Sequence, residues 1–587
     1  TGVGIGGWAS RGKLIEMREL SRRDFLLGVG AAAALGIAGA GALVAESGSS
    51  KPRRTGSAST ANTAAQVGAT RIGDGPVVQT AAWVTAENAR AGTNQWAIEG
   101  NAIPHVIEAY ADQVSAQVGD TVKLFVSCQD PTFTVAAYRM GWYNGLGGRL
   151  IWRSPAGLTG RVQPAPSLNP STYMVECAWA PSLSVKVGLD WPPGDYLFKL
   201  STSSGQARWV PFVVRDDSSK AAYVIQNSVT TWQAYNWWGG YCLYYGPNSA
   251  GSIYTGPHGS AGEAFTNRSR VVSFDRPYPH DWAYGASDFI GNELPMVMLA
   301  ERLGLDVTYW TDLDFHQRPQ LLAQHRALIS LGHDEYWSAP MYDAAIAGNN
   351  NGVNFMFLGA NACFRHVRFD ASPLGVDRRM VCYKVASEDP LYGVDNSQVT
   401  GNWADPPMPR PESVLVGSMY QSNGVDADMV IVDPASWVLA GTGLGSGHRL
   451  AGLIGPEYDG YDPAIPSPSN LSVIAHSPVV DIAGSPGYAD MTWFTRAKAG
   501  GVFATGTNYW ISRLGDNSGR FNVGLVSTPT ELTAPLTRIT ENVLGACGTG
   551  PAGLTHPSVA NWQSFYRGPG TSSAIATNYR TYWGAGG

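Results

Sequence analysis

Between about residues 74 and 217, apolar and polar positions alternate with period two in short runs at 114–118, 121–126, 134–138 and 194–200, punctuated by Gly, Pro and Asp. That rhythm predicts an antiparallel β-sandwich, Ig-like or lectin-like. From about residue 220 the pattern changes. Continuous apolar runs at 221–225, 271–274, 306–310, 326–331 and 353–358 alternate with helical stretches near 286–303, 317–325 and 340–348. Such an order predicts an α/β domain with a mostly parallel sheet and right-handed crossovers, flavodoxin-like in plan. Beyond residue 380, strands are predicted near 413–417, 429–432, 449–454 and 471–475, then a helix over 490–496 and a run at 500–505. We read these as a β-rich insertion that returns to complete the sheet. The resulting boundaries are 74–217 for the sandwich, 218–550 for the α/β domain and 551–587 for a C-terminal tail.

The first 73 residues stand apart. Residues 46–73 are rich in Ser, Thr, Ala and Gly, cannot bury enough apolar surface to order themselves, and predict a disordered linker. Ahead of them, Ser21-Arg22-Arg23-Asp24-Phe25-Leu26-Leu27 precedes an Ala/Gly-dominated apolar run. This resembles a twin-arginine export signal, so residues 1–45 are expected to direct the chain out of the cytoplasm with transient membrane contact. A retained membrane anchor is the competing reading.

The chain has 587 residues, which implies more than one domain. A formal net charge of -6 without a basic run argues against nucleic-acid binding. The 20 Trp and 26 Tyr are read as core first and as sugar-stacking surface second. Six widely spaced cysteines without a Cys-x-x-Cys exclude thiolate zinc and iron–sulfur sites. An oxidising destination permits disulfides, and Cys128 with Cys177 is the first pair to test.

Chemistry concentrates at Gly332-His333-Asp334-Glu335-Tyr336-Trp337, which follows the strand predicted at 326–331. In an open parallel sheet ligands bind beyond the carboxyl ends of strands. His333, Glu335 and Asn361, the last at the end of run 353–358, therefore converge on one crevice, near Thr311-Asp312. Asp334 is expected to face solvent. Tyr235 and Tyr278 follow the two earliest strands and add phenols.

Tyr235, Arg276-Pro277-Tyr278, Tyr309-Trp310-Thr311-Asp312, the Gly332–Ser338 block, Gly359-Ala360-Asn361 and Val502-Phe503-Ala504-Thr505-Gly506 together resemble the large (beta) subunit of N,N-dimethylformamidase, over about residues 220–545. The resemblance implies a catalytic domain similar in plan to class I glutamine amidotransferases; the absence of a Gly-x-Cys-x-Gly elbow disfavours a cysteine nucleophile. It also implies a mononuclear Fe(III) held by Tyr235, Tyr278 and Glu335, with Tyr254, Tyr245 and Tyr336 as alternatives to Tyr278. His333 and Asn361 would assist hydrolysis of an amide C–N bond. The family's small subunit is absent from this chain; a homo-oligomer is left open, and the substrate is expected to be a small amide or an amidated glycan or peptide. The competing readings are a weakly catalytic secreted carbohydrate-binding or surface-interaction protein, and glycoside cleavage by an acidic pair.

Overall fold

The computed structural model describes residues 67–100, 103–246, 266–514 and 530–566. The Arg22-Arg23 motif, residues 46–66 of the predicted linker, Tyr254 and the last 21 residues lie outside this range; the end of the predicted linker is instead a strand, Val67–Arg71, paired antiparallel with Val77–Ala81.

The N-terminal half carries two larger sheets, the first antiparallel and the second mixed, since Ala207–Arg215 pairs in parallel with Ser115–Gln117. One joins strands Ile107–Ala111, Thr121–Cys128 and Leu183–Lys186; the other centres on Thr132–Met140, Gly194–Thr202 and Ala207–Arg215. Alternation within Thr121–Cys128 turns Val122, Leu124, Val126 and Cys128 inward while Thr121 and Lys123 stay exposed. These inward residues share one core with Phe133, Val135, Tyr196, Phe198, Val210 and Phe212 of the second sheet.

The second half is organised by a seven-stranded sheet. Its strands are β1 (Tyr223–Asn227), β2 (Val307–Thr311), β3 (Ala327–Leu331), β4 (Asn354–Leu358), β5 (Ser472–Val480), β6 (Pro486–Thr495) and β7 (Gly501–Ala504), in spatial order β2-β1-β3-β4-β7-β6-β5. The five from β2 to β7 are parallel; β6 and β5 run antiparallel to the neighbours they pair with. β1, β2, β3 and β4 are buried along their whole length, which is why they read as unbroken apolar runs rather than alternating ones. Helices α1 (Val229–Tyr235), α2 (Leu294–Arg302), α3 (Asp312–Gln317), α4 (Ala339–Asn350) and α5 (Thr530–Gly548) pack around them. Strand order reverses between β1 and β3, so the crevice beyond their carboxyl ends is the topological switch point.

Four expectations are corrected. Residues 413–416 form a short helix rather than a strand, ended by Gly417 at φ 95°. The span 490–496, predicted helical from its apolar spacing, lies in β6, where pairing with both β5 and β7 overrides local propensity. The helix expected over 286–303 divides into a π-helical turn Phe289–Glu293 and α2, with Pro295 in the first turn of the latter. All six cysteines are buried free thiols; Cys128 and Cys177 lie in different hydrophobic clusters and form no disulfide.

Candidate active site

The two glycines that begin the site motifs are there for close approach. Gly332, just after β3, has φ +56°, and a Cβ on it would stand 2.8 Å from the Asn292 carbonyl oxygen. A Cβ on Gly359, just after β4, would stand 1.7 Å from the Gly332 carbonyl oxygen. Parallel neighbours thus leave the sheet in backbone contact, which carries His333 and Asn361 to the same point. Asn361 has φ 58°, the left-handed region that Asn tolerates, and its backbone N–H donates to Asp459 at 2.7 Å.

Glu335 is 1% exposed. Its backbone N–H donates to Thr231 Oγ1 at 2.9 Å, tying it to α1, whose last residue is Tyr235. Tyr235 Oη donates to Glu335 Oε2 at 3.0 Å, and Tyr244 Oη reaches the same oxygen at 2.9 Å. The two phenol oxygens are 2.6 Å apart. Three oxygens therefore form a nearly equilateral triangle. Tyr336 Oη meets Tyr244 Oη at 2.7 Å, Lys384 Nζ donates to Tyr336 Oη at 2.8 Å, and the same nitrogen, whose pKa burial and the Arg365 charge push well below the usual lysine value, lies 3.2 Å from the centre of the Tyr244 ring. Arg365 approaches Glu335 Oε1 at 3.4 Å.

His333 Nε2 faces two carboxylates, Glu457 Oε2 at 2.9 Å and Glu335 Oε2 at 3.3 Å. Asn361 Nδ2 donates to Glu457 at 3.0 Å and lies 3.3 Å from His333 Nε2. An Nε2 that carries hydrogen toward Glu457 has no lone pair for the Asn361 amide, so Glu457 is what fixes that amide. Asn361 Oδ1 is buried without a hydrogen-bond partner.

Electrostatics follow from burial and these contacts. Burial alone would depress the His333 pKa, but Glu457 and Glu335 outweigh it and raise it to about 10, so the ring is an imidazolium at neutral pH. Burial likewise opposes ionisation of Glu335, yet hydrogen bonding to His333 and the charges of Lys384 and Arg365 pull its pKa down to about 2. Burial, reinforced by the Glu335 charge, holds the Tyr244 and Tyr336 phenols far above their usual range.

Of the residues expected at the site, His333, Glu335, Asn361 and Tyr235 come together. Tyr278 does not: it packs edge-on against Trp232 and Trp282, on a separate cavity. Tyr244 occupies the second phenol position beside Glu335. Tyr336 sits behind Tyr244, Tyr245 is partly buried against the core, and Tyr254 lies outside the described residues. Asp334 does not face solvent. It is 0% exposed and accepts from Gln226, Ser330 and Trp337, each at 2.8 Å, so it braces the loop. Asp312 is also structural, accepting from the Thr230 backbone N–H at 3.0 Å and from its hydroxyl.

Sequence reasoning missed Tyr244, Glu457 and Lys384. Tyr244 adjoins a tyrosine that was weighed, in a segment without periodicity. Glu457 stands in Gly455-Pro456-Glu457-Tyr458-Asp459-Gly460, where strand Glu457–Gly460 of the excursion sends Glu457 and Asp459 to Asn361. Two acids two residues apart in an otherwise apolar stretch were the available signal.

Among the described residues, no group of three or more His, Cys, Asp and Glu side chains is placed to hold a metal ion. Phenols change that. Donor atoms adjacent around one hard cation with bonds near 2.0 Å lie about 2.8 Å apart, close to the edges of the Tyr235–Tyr244–Glu335 triangle. The carboxylate is ionised, and the two phenols hydrogen-bond until a strongly charged cation displaces their protons. The donor set fits a mononuclear Fe(III).

Fold and site define an α/β protein with a buried phenol–carboxylate–imidazolium centre at its switch point. The chain belongs to the N,N-dimethylformamidase beta subunit-like family, whose C-terminal model matches residues 134–521. That match begins in strand Thr132–Met140, well before residue 220. The chain is also 25% identical over 308 residues to the N,N-dimethylformamidase beta subunit of Alcaligenes sp., a span covering 46% of this chain and 40% of that protein. It thus spans less than half the length of that relative.

Proposed function

We propose that this protein hydrolyses a linear amide C–N bond at a mononuclear ferric centre held by Tyr235, Tyr244 and Glu335. The observation that carries this reading is the triangle of three hard oxygen donors beside His333, Glu457 and Asn361. When bound there, Fe(III) supplies Lewis acidity that polarises an amide carbonyl and acidifies water. Glu457 Oε2, already joined to His333 Nε2, is placed to accept a proton from an attacking water. His333 Nε2 is placed to deliver a proton to the departing amine nitrogen. Asn361 is held by Glu457 through Nδ2, and its unpartnered Oδ1 is free to accept from a substrate N–H, while Nδ2 supports the developing oxyanion only if Glu457 releases it.

The substrate class is a small amide or an amidated glycan or peptide, and a small partner subunit and export through the Arg22-Arg23 signal belong to the same reading. The test is elemental analysis and visible absorption of purified protein. About one iron per chain and a phenolate-to-iron charge-transfer band are expected, both lost in Tyr235→Phe, Tyr244→Phe and Glu335→Ala and both kept in Tyr278→Phe. Absence of iron, or stoichiometric zinc, overturns the reading. Colour kept in Tyr244→Phe but lost in Tyr254→Phe reassigns the second phenolate alone.

A further inference from the structure

Tyr235 and Tyr244 are nine residues apart in the chain, yet their phenol oxygens stand 2.6 Å apart. The segment between them therefore leaves α1, turns and comes back to the same point. Its base is closed by the Leu243 backbone N–H, which donates to the Ala234 carbonyl at 3.0 Å, and its turn runs through Trp238–Gly240 with Gly239 at φ 79°. Carbonyls that point into so tight a loop have few backbone donors to meet and need one from elsewhere.

Arg276 supplies it. The side chain is 1% exposed and comes from the segment after strand Val271–Ser273. Its Nη2 donates to the Asn236 carbonyl at 2.9 Å, and its Nη1 donates to the Trp238 and Tyr241 carbonyls at 3.1 and 3.0 Å. Asn236 Nδ2 returns a bond to the Pro277 carbonyl at 2.9 Å, so the two segments are joined in both directions.

This guanidinium is used differently from its neighbours. Arg139, Arg365 and Arg378 are also buried, and each meets a carboxylate. The Asp275 carboxylate, next to Arg276 in the chain, is taken by Arg378 at 2.8 Å. Burial lowers the Arg276 pKa to about 10, and the acidic groups that oppose the fall are the Cys242 and Cys177 thiols and the Tyr278 phenol, not carboxylates. A buried cation without a counter-charge is costly. What this one gains is three carbonyls, all from the loop that joins the two phenols.

We propose that Arg276 is a positioning residue of the metal site: by clamping the carbonyls of residues 236, 238 and 241 it sets the separation of the Tyr235 and Tyr244 oxygens. The inference rests on the reading of those two phenols as metal donors. A planar fork fixes all three carbonyls at once, whereas a lysine ammonium is a point charge on a flexible stem.

Arg276→Lys in the full chain keeps the charge and loses the fork. Its affinity for ferric ion, measured by competition with citrate, should fall about 10–100-fold, the scale on which groups behind metal ligands act, and the phenolate-to-iron band should move. In the metal-free crystal structure of the variant the two phenol oxygens should separate beyond hydrogen-bond distance. A variant that melts at a lower temperature but keeps the parental iron affinity and band position has lost only stability, and that result overturns the proposal. Parent protein without iron sinks the ferric reading instead, and the metal-free structure then decides: phenol oxygens still in contact in Arg276→Lys overturn the clamp. Should Arg276→Lys fail to fold, Gly239→Ala distorts the same turn, since its Cβ would stand 2.6 Å from Val175 Cγ1. The same losses are expected there, and an unchanged band and affinity overturn the proposal as well.

Discussion

Two clusters of buried charge, one around Arg139 and Glu301 and one around Glu335 and His333, are built differently. Where strand Thr132–Met140 meets α2, Arg139 forks onto Glu301 with contacts of 2.6 and 3.1 Å, both side chains fully buried. Tyr143 joins Arg139 at 2.9 Å to Glu87 at 2.7 Å, Arg149 meets Glu87 at 2.5 Å, and Tyr309 donates to Glu301. Each anion there meets a guanidinium, and each phenol lies between opposite charges. At the switch point the rule is broken. Two carboxylates share one imidazole nitrogen, two phenol oxygens crowd a third oxygen, and Asn361 Oδ1 has no partner. Both carboxylates of the Arg139–Glu301 and Arg149–Glu87 network are paired within the chain, although Arg149 Nη2 has no partner, whereas at the switch point acceptor oxygens crowd one another and Asn361 Oδ1 has none.

The comparison predicts a difference in cost. Arg139→Met leaves Glu301 buried without a counter-charge, held only by Tyr309 and Asn88, and removal of one member of such a pair costs about 3–5 kcal/mol. Tyr235→Phe removes one of the crowded oxygens and no charge, and in metal-free protein should cost only about 0.5–1.5 kcal/mol, the usual net worth of one hydrogen bond. Denaturant unfolding of the two variants checks this, and equal losses would erase the distinction between the clusters.

Chemistry separates them the other way. His333→Ala should keep fold and iron but lose at least about 100-fold in kcat on whichever amide proves to be the substrate, the usual scale for a general acid. Arg139→Lys, if it folds, should retain most of the activity because its cluster touches no part of the switch point. Activity of His333→Ala equal to that of the parent would make the imidazole a structural group.

Much of this arrangement was legible in the chain because parallel strands read as apolar runs and site residues follow them directly. His333, Glu335 and Asn361 could be placed from position alone, since strand ends at a switch point converge whatever the side chains are. Tyr235 was legible for the same reason, as it closes the short helix after β1. Tyr278 also follows an apolar run, but Val271–Ser273 belongs to a separate sheet paired with Gly375–Val381, so its end points elsewhere. Tyr244 and Glu457 arrive from an irregular segment and from an excursion more than 90 residues beyond Asn361, where only tertiary contact fixes position. The helix expected at 490–496 failed for a related reason: flanking strands on both sides decided its state.

The smallest expected effect concerns a third buried acid that belongs to neither cluster. Glu412 precedes the short helix Ser413–Val416; it is 1% exposed, and neither carboxylate oxygen has a partner. Burial, with the nearby Asp459 and Asp405 carboxylates, lifts its pKa from 4.5 to about 8. The sign follows from proton binding. Between pH 4.5 and about 8 the folded chain retains a proton that the unfolded chain releases, so stability falls as pH rises through that window and is flat below it. Glu412→Gln removes the titration while keeping shape. Its stability should match the parent near pH 4.5 and exceed it at pH 8, by on the order of 1 kcal/mol, since opening of one helical turn lets water reach the ionised group. Parallel melting curves of the two proteins between pH 4.5 and 8 that never diverge would show that Glu412 ionises in the fold, paired with a group the geometry does not place beside it.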